Sequence, residues 1–167
     1  MRVRYASGSD IPALVQLINA AFEVERFFID RDRTDARMVA ARLARDGFLI
    51  GEDDRGEMVA CAHIEQRGNR GHFGLLAVRP ERKGQGFGPA LIAAIESHFR
   101  SGGCTAVDIR VVNLRTELPP FYRRLGYVEQ GTEPFNDPRT LRPCHFICMT
   151  KPLVDVGAGF SPPDRTG

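Results

Sequence analysis

No apolar run in this 167-residue chain approaches the roughly 18 residues that a membrane-crossing helix needs. The first thirty residues carry Asp10, Glu23 and Glu25 and lack the pattern of a secretory signal, so a cytoplasmic protein is expected. Lysine is almost missing: Lys83 and Lys151 are the only two, and arginine supplies the rest of the 23 basic residues. Set against 21 acidic residues, these leave a net charge of +2, too small and too dispersed to favour a nucleic-acid or membrane surface. Cysteine is sparse, and Cys61, Cys104, Cys144 and Cys148 include no CxxC pair. Cys144 and Cys148, with His145 between, would share one face of a strand without a second ligand pair, so no metal is expected and the thiols should be buried and reduced. Internal repeats are absent. What is present is ordinary globular composition, 43% hydrophobic and 26% charged. Its length suits one domain, able to bury roughly 70% of its unfolded surface without disulfide staples.

The periodicities give an alternating order of elements. Val3 to Tyr5 reads as an edge strand, and Ser9, Asp10 and Pro12 open a helix whose stripe is Ile11, Leu14, Val15, Ile18, Ala21 and Phe22. A second helix starts at Thr34 or Asp35 and runs to Gly47. The long connection from Glu23 to Arg33 is the kind that often carries function. Phe48–Glu52 and Met58–Glu65 form a hairpin, Gln66–Gly71 a turn, and Phe73–Val78 a strand apolar enough for burial on both faces. A helix spans Pro89 to about Arg100, a strand Thr105 to Val112, and a short helix Phe121 to Leu125. Tyr127–Gln130 and Cys144–Thr150 are a last strand pair around a polar loop, Gly131–Pro143. The predicted fold is α/β, a mixed sheet in the order β-α-α-β-β-β-α-β-α-β-β with helices on both faces. The domain covers residues 1–152, and residues 153–167 read as a C-terminal tail with little to bury.

The segment between the apolar strand and the following helix is glycine-rich: Lys83-Gly84-Gln85-Gly86-Phe87-Gly88. Such loops hold phosphate because backbone N–H groups and the helix dipole converge on an anion. The P-loop pattern G-x-x-x-x-G-K-[ST] is absent, and G-x-G-x-x-G from Gly84 fails at Pro89. A third pattern, [RQ]-x-x-G-x-[GA] after a strand ending Val-x-Pro, fits Val78-Arg79-Pro80-Glu81 and the glycines behind it.

With this loop, Leu76-Ala77-Val78 before it, and Asn113 followed by Phe121-Tyr122-Arg123-Arg124-Leu125-Gly126-Tyr127, the chain resembles the GNAT N-acetyltransferase superfamily over residues 2 to 152. Lys83 stands where that family's pattern has Arg or Gln. The resemblance implies acetyl-CoA as co-substrate. Its diphosphate would be cradled by the backbone of Lys83, Gly84, Gln85, Gly86, Phe87 and Gly88. Its pantetheine arm would bond the main chain of Leu76, Ala77 and Val78 where the strand bulges, with Asn113 also contacting the arm. It implies that Tyr122 protonates the departing thiolate. At the position where some relatives place a glutamate base stands His72, and Glu65 and Glu25 are rivals. The acceptor would enter between Glu23–Arg33 and Gly131–Pro143, whose mixed charges and aromatics suit a small primary amine better than a basic protein tail. A peptide or protein amine, and a non-catalytic acyl-CoA-binding module, are the competing readings, and Tyr122 counts against the second. A homodimer is the assembly to test, since two-fold dimers are the commonest.

Overall fold

The computed structural model describes residues 1–153. A seven-stranded mixed sheet runs β1 (Arg2–Tyr5), β2 (Phe48–Glu52), β3 (Met58–Arg67), β4 (Arg70–Val78), β5 (Ala106–Val112), β6 (Val128–Pro134) and β7 (His145–Pro152) along the chain. In space the order is β1-β2-β3-β4-β5-β7-β6. All neighbours are antiparallel except β4 and β5, which are parallel. No helix among the described residues is long and apolar enough to cross a membrane.

Helices α1 (Ile11–Ala21) and α2 (Ala36–Arg45) cover one face. Ser7 and Asp10 form a reciprocal cap ahead of α1, Pro12 sits in its first turn, and Asp35 Oδ1 accepts from Met38 N–H at 2.8 Å to start α2. Leu14, Leu17, Ile18 and Val39 pack there against Phe48, Ile50 and Cys61. Helices α3 (Phe87–Ser101) and α4 (Leu118–Arg124) cover the other face, where Leu91, Ile92, Ile95, Phe99 and Tyr122 meet Val107, Ile109 and Val111. Among the described residues, the half of the α1/α2 face built on β5, β7 and β6 carries no helix. There the segment 22–35 and the β6–β7 loop close over its upper end, through Phe28, Ile29 and Val112.

Several boundaries differ from the sequence reading. The β3–β4 turn is shorter than expected, and Gly71 lies inside β4, where a Cβ would come within 2.4 Å of the Phe99 ring. β6 continues through Gly131 to Pro134 instead of ending at Gln130, because β7 pairs with it as far as His145. α3 begins at Phe87 and α4 at Leu118, since Pro119 and Pro120 fit a first turn whose N–H groups need no partner. Cys61 and Cys104 are buried as expected, whereas Cys144 and Cys148 are only half-buried; all four are free thiols. Leu153 is buried in the core and donates its N–H to Thr105 O at 2.8 Å, so the fold extends one residue past 152. The remainder of the expected tail, residues 154–167, lies outside the described residues.

Candidate active site

The sheet is split in the middle. β4 and β5 pair only from Arg70 to His72 against Ala106 to Asp108, and beyond that point they diverge. The cause lies in β4. His63 pairs with Gly74 and Cys61 with Ala77, so Leu75 and Leu76 together oppose the single residue Ala62. Leu75 adopts φ +49°, a left-handed conformation that costs a non-glycine residue about 1–3 kcal/mol. This bulge exchanges the strand's faces. Phe73 points to the α3 core, Leu75 and Ala77 point to the α1/α2 core, and Leu76 and Val78 pack toward α3. Arg79 N–H donates back to Val59 O at 2.8 Å, which makes Val78–Ala60 a non-hydrogen-bonded pair. The amide and carbonyl of Val78 therefore face away from β3, into the split.

The glycine loop stands at the head of α3. Gly84 and Gly86 have φ of +78° and +85°, with open space where a Cβ would project. Only glycine adopts these values without strain. The N–H groups of residues 84–88 have no backbone acceptor among the described residues, the next amide in use being Ala90 N–H to Gly86 O at 3.2 Å. Five consecutive free amides at a helix N-terminus form an anion cradle that a diphosphate fits. Arg82 braces the loop: it pairs with Asp53 at 2.8 Å, bonds Gln85 Oε1 at 3.1 Å and lies over the Phe87 ring at 5.1 Å. Lys83 is exposed beside it.

Tyr122 extends from α4 beneath the split, its ring 5% exposed and packed among Phe73, Phe121 and Tyr127. Burial pushes its pKa above the ordinary tyrosine value, with the Arg115 charge opposing. Its hydroxyl has no hydrogen-bond partner among the described residues, so its donor is free to meet a ligand. The neighbouring Tyr127 hydroxyl is instead committed to Glu96 at 2.9 Å, and Lys151 holds the other Glu96 oxygen at 2.8 Å. Asn113, at the end of β5, accepts from His145 N–H at 2.8 Å through Oδ1, which leaves its amide nitrogen available.

His72 sits at the vertex of the split, 30% exposed, with Nε2 3.7 Å from Asp108 Oδ2 and Glu65 across the strand pair. Burial lowers its pKa, against the pull of Asp108. His63 is buried, holds Asp46 at 2.9 Å and packs on Phe48, a structural position. His98 lies on the outer side of α3, where its Nδ1 is 2.6 Å from the Tyr5 hydroxyl. Glu25 is 7% exposed, and its pKa is raised by burial although Arg115 Nη1 lies 2.9 Å away. Sequence reasoning missed Arg115, because nothing in a local pattern marks an arginine that works across 90 residues. Across the upper end, the expected acceptor segments are clasped together: Arg31 meets Asp137 at 2.9 Å, and Ile29 bridges Thr140. Among the described residues no group of three or more His, Cys, Asp or Glu side chains is arranged to hold a metal.

A mixed sheet that splits between two parallel strands, with a bulge on one lip and an anion cradle at its head, defines the acetyltransferase class of α/β folds. The chain belongs to the acetyltransferase (GNAT) family, which it matches over residues 11–127. Mycothiol acetyltransferase of Propionibacterium freudenreichii is 27% identical over 139 residues, 80% of this chain and 45% of that protein. An acetyltransferase of Yersinia pestis (strain Pestoides F) is 32% identical over 85 residues, 51% of this chain and 60% of that one. The chain thus spans about half the length of these curated relatives. In fold, ribosomal-protein-S18-alanine N-acetyltransferase from Escherichia coli superposes with a TM-score of 0.77 at 18% identity, over 96% of this chain and 98% of that one. The yncA protein of Salmonella typhimurium, solved with its cofactor acetyl-CoA, superposes at 0.72 and 19% identity over 99% of each chain.

Proposed function

We propose that the protein moves an acetyl group from acetyl-CoA to the primary amine of a small molecule, by direct attack within a ternary complex. The observation that carries this reading is the row of free amides at residues 84–88 beside the split between β4 and β5. Acetyl-CoA brings a thioester already reactive toward amines. The loop amides from Gly84 to Gly88 hold its diphosphate, with Lys83 adding charge, while the main chain around Leu76, Ala77 and Val78 and the free amide of Asn113 align its arm. One of the split-facing amides donates to the carbonyl oxygen as negative charge gathers there.

Tyr122 donates its hydroxyl proton toward the departing sulfur. A thiol of pKa near ~8.5 and a phenol near ~10 leave complete transfer uphill by about 2 kcal/mol, and burial widens that gap. The hydroxyl thus acts as a hydrogen-bond donor that stabilises the thiolate, and the proton that the amine nitrogen loses as the tetrahedral intermediate collapses ends on the sulfur by way of His72 and water. His72 lies four residues along the strand from Leu76, roughly 13 Å. It therefore takes the amine proton through bridging water, in the neutral form that burial favours.

The clasp between the 22–35 segment and the β6–β7 loop supports a small acceptor over a threaded peptide. The fold likeness to an enzyme named for a ribosomal-protein alanine is what a peptide acceptor would rest on. Incubation with acetyl-CoA and a panel of amines, peptide N-termini included, while free thiol is monitored, decides between them. Thiol release that requires a small amine supports the proposal. Release only with peptides moves the assignment to a peptide acetyltransferase, and tight coenzyme binding without release leaves a binding module.

A further inference from the structure

The uncovered half of the α1/α2 face is rich in arginine, and most of these charges are accounted for. Arg31 pairs with Asp137, Arg110 with Glu133 at 3.1 Å, and Arg115 with Glu25. Arg33 has no carboxylate partner among the described residues. Its guanidinium lies 5.3 Å over the Phe22 ring, half-buried, with the charges of Glu25, Arg31, Arg42 and Arg110 all acting on it. Burial lowers its pKa to about 10. Arg42 has no carboxylate in contact among the described residues; its Nη1 lies 3.5 Å from His63 Nδ1, and Asp46 and Glu65 act on it from farther off.

Glu25 acts on the Arg33 charge from a distance, but no carboxylate among the described residues touches the guanidinium, and a half-buried charge with no direct partner is costly unless a ligand supplies one. The segment is also held still. Asn19 Nδ2 donates to Thr34 O at 3.0 Å and its Oδ1 accepts from Thr34 N–H at 2.9 Å, fixing the backbone next to Arg33 from inside α1. The stacked, planar fork of an arginine suits a carboxylate bidentately, which a lysine does not match. The nearby carboxylates that could compete are already taken: Glu25 by Arg115 and Glu133 by Arg110.

We propose that the acceptor is an amino-acid-like amine whose carboxylate is seated on Arg33, with Arg42 contributing charge behind it, on the opposite side of the sheet from α3. The inference rests on the acetyl-transfer reading above and adds the acceptor's second functional group. It makes Arg33 a specificity-determining residue.

The test compares kcat/KM for the amino acids and their methyl esters in wild type, Arg33→Gln and Arg33→Lys, with coenzyme affinity as the folding control. Comparing the acid-to-ester ratio between proteins cancels the differing basicities of the amines. Arg33→Gln should lower that ratio at least tenfold, mostly through KM, and Arg33→Lys should recover part of it. An equal ratio in wild type and Arg33→Gln overturns the carboxylate seat and leaves acetyl transfer standing. A second reading works without turnover: calorimetry of N-acetyl amino acids and their methyl esters on the coenzyme A complex. Binding of an acid that Arg33→Gln weakens at least tenfold supports the seat. Binding of acid and ester alike, or of neither, overturns it.

Discussion

In the proposed reaction, Tyr122 and His72 divide the proton chemistry between two ends of one opening. Because Tyr122 is fixed by three aromatic neighbours and its hydroxyl has no partner among the described residues, Tyr122→Phe removes the donor and little else. Its kcat should fall by about 10²–10⁴-fold while the acetyl-CoA Kd changes only a few-fold, since the bond matters mainly as the thiolate departs. Steady-state kinetics with calorimetry read both quantities, and a variant with near-normal kcat would assign the proton to water. His72 carries the pH dependence. Its pKa in the fold lies below the ordinary 6.5, so the neutral base prevails above that pH and is lost as pH falls through the lowered value. The acid limb of kcat/KM should therefore lie below pH 6.5. His72→Asn should flatten that limb and lower the plateau at least tenfold. If the limb survives in His72→Asn and disappears in Glu25→Gln, the base is Glu25, whose pKa burial raises.

At the scale of elements, the glycines show how much a sequence discloses and where it stops. Gly84 and Gly86 are legible in the sequence as a tight strand-to-helix loop because the turn itself demands positive φ. Gly71 was read as part of a turn, although it is a strand residue whose missing side chain makes room for Phe99. Gly71→Ala should consequently destabilise the protein by about 1–3 kcal/mol, the usual cost of overpacking, measured by urea denaturation. Stability within a few tenths of wild type would show that α3 shifts freely on the sheet. The bulge at Leu75 was legible only through family resemblance, because a left-handed leucine has no local signature and exists only since both adjoining cores demand a side chain. β6 was cut short for a related reason. Gly131 and Pro134 read as loop, yet an edge strand with one paired side tolerates both.

For the whole molecule, the strand and helix order, the two-faced packing and the glycine loop could all be read from spacing, since each rests on contacts local in the chain. What could not be read rests on distant contacts. Arg115 to Glu25, Arg31 to Asp137 and the unpaired Arg33 only acquire meaning once the 22–35 segment folds over the far half of the sheet. In the proposed reading the same assembly joins the two substrate sides, with the coenzyme cradle at the head of α3 and the acceptor face behind the split. The central claim is that this cradle binds acetyl-CoA. Calorimetric titration of wild type and Gly86→Val with acetyl-CoA tests it most directly, because a β-branched residue at φ +85° closes the backbone approach and strains the turn. Saturable one-to-one binding that weakens at least tenfold in the variant, about 1.4 kcal/mol, is the result predicted. No binding to wild type, or undiminished affinity in a folded Gly86→Val protein, would contradict it.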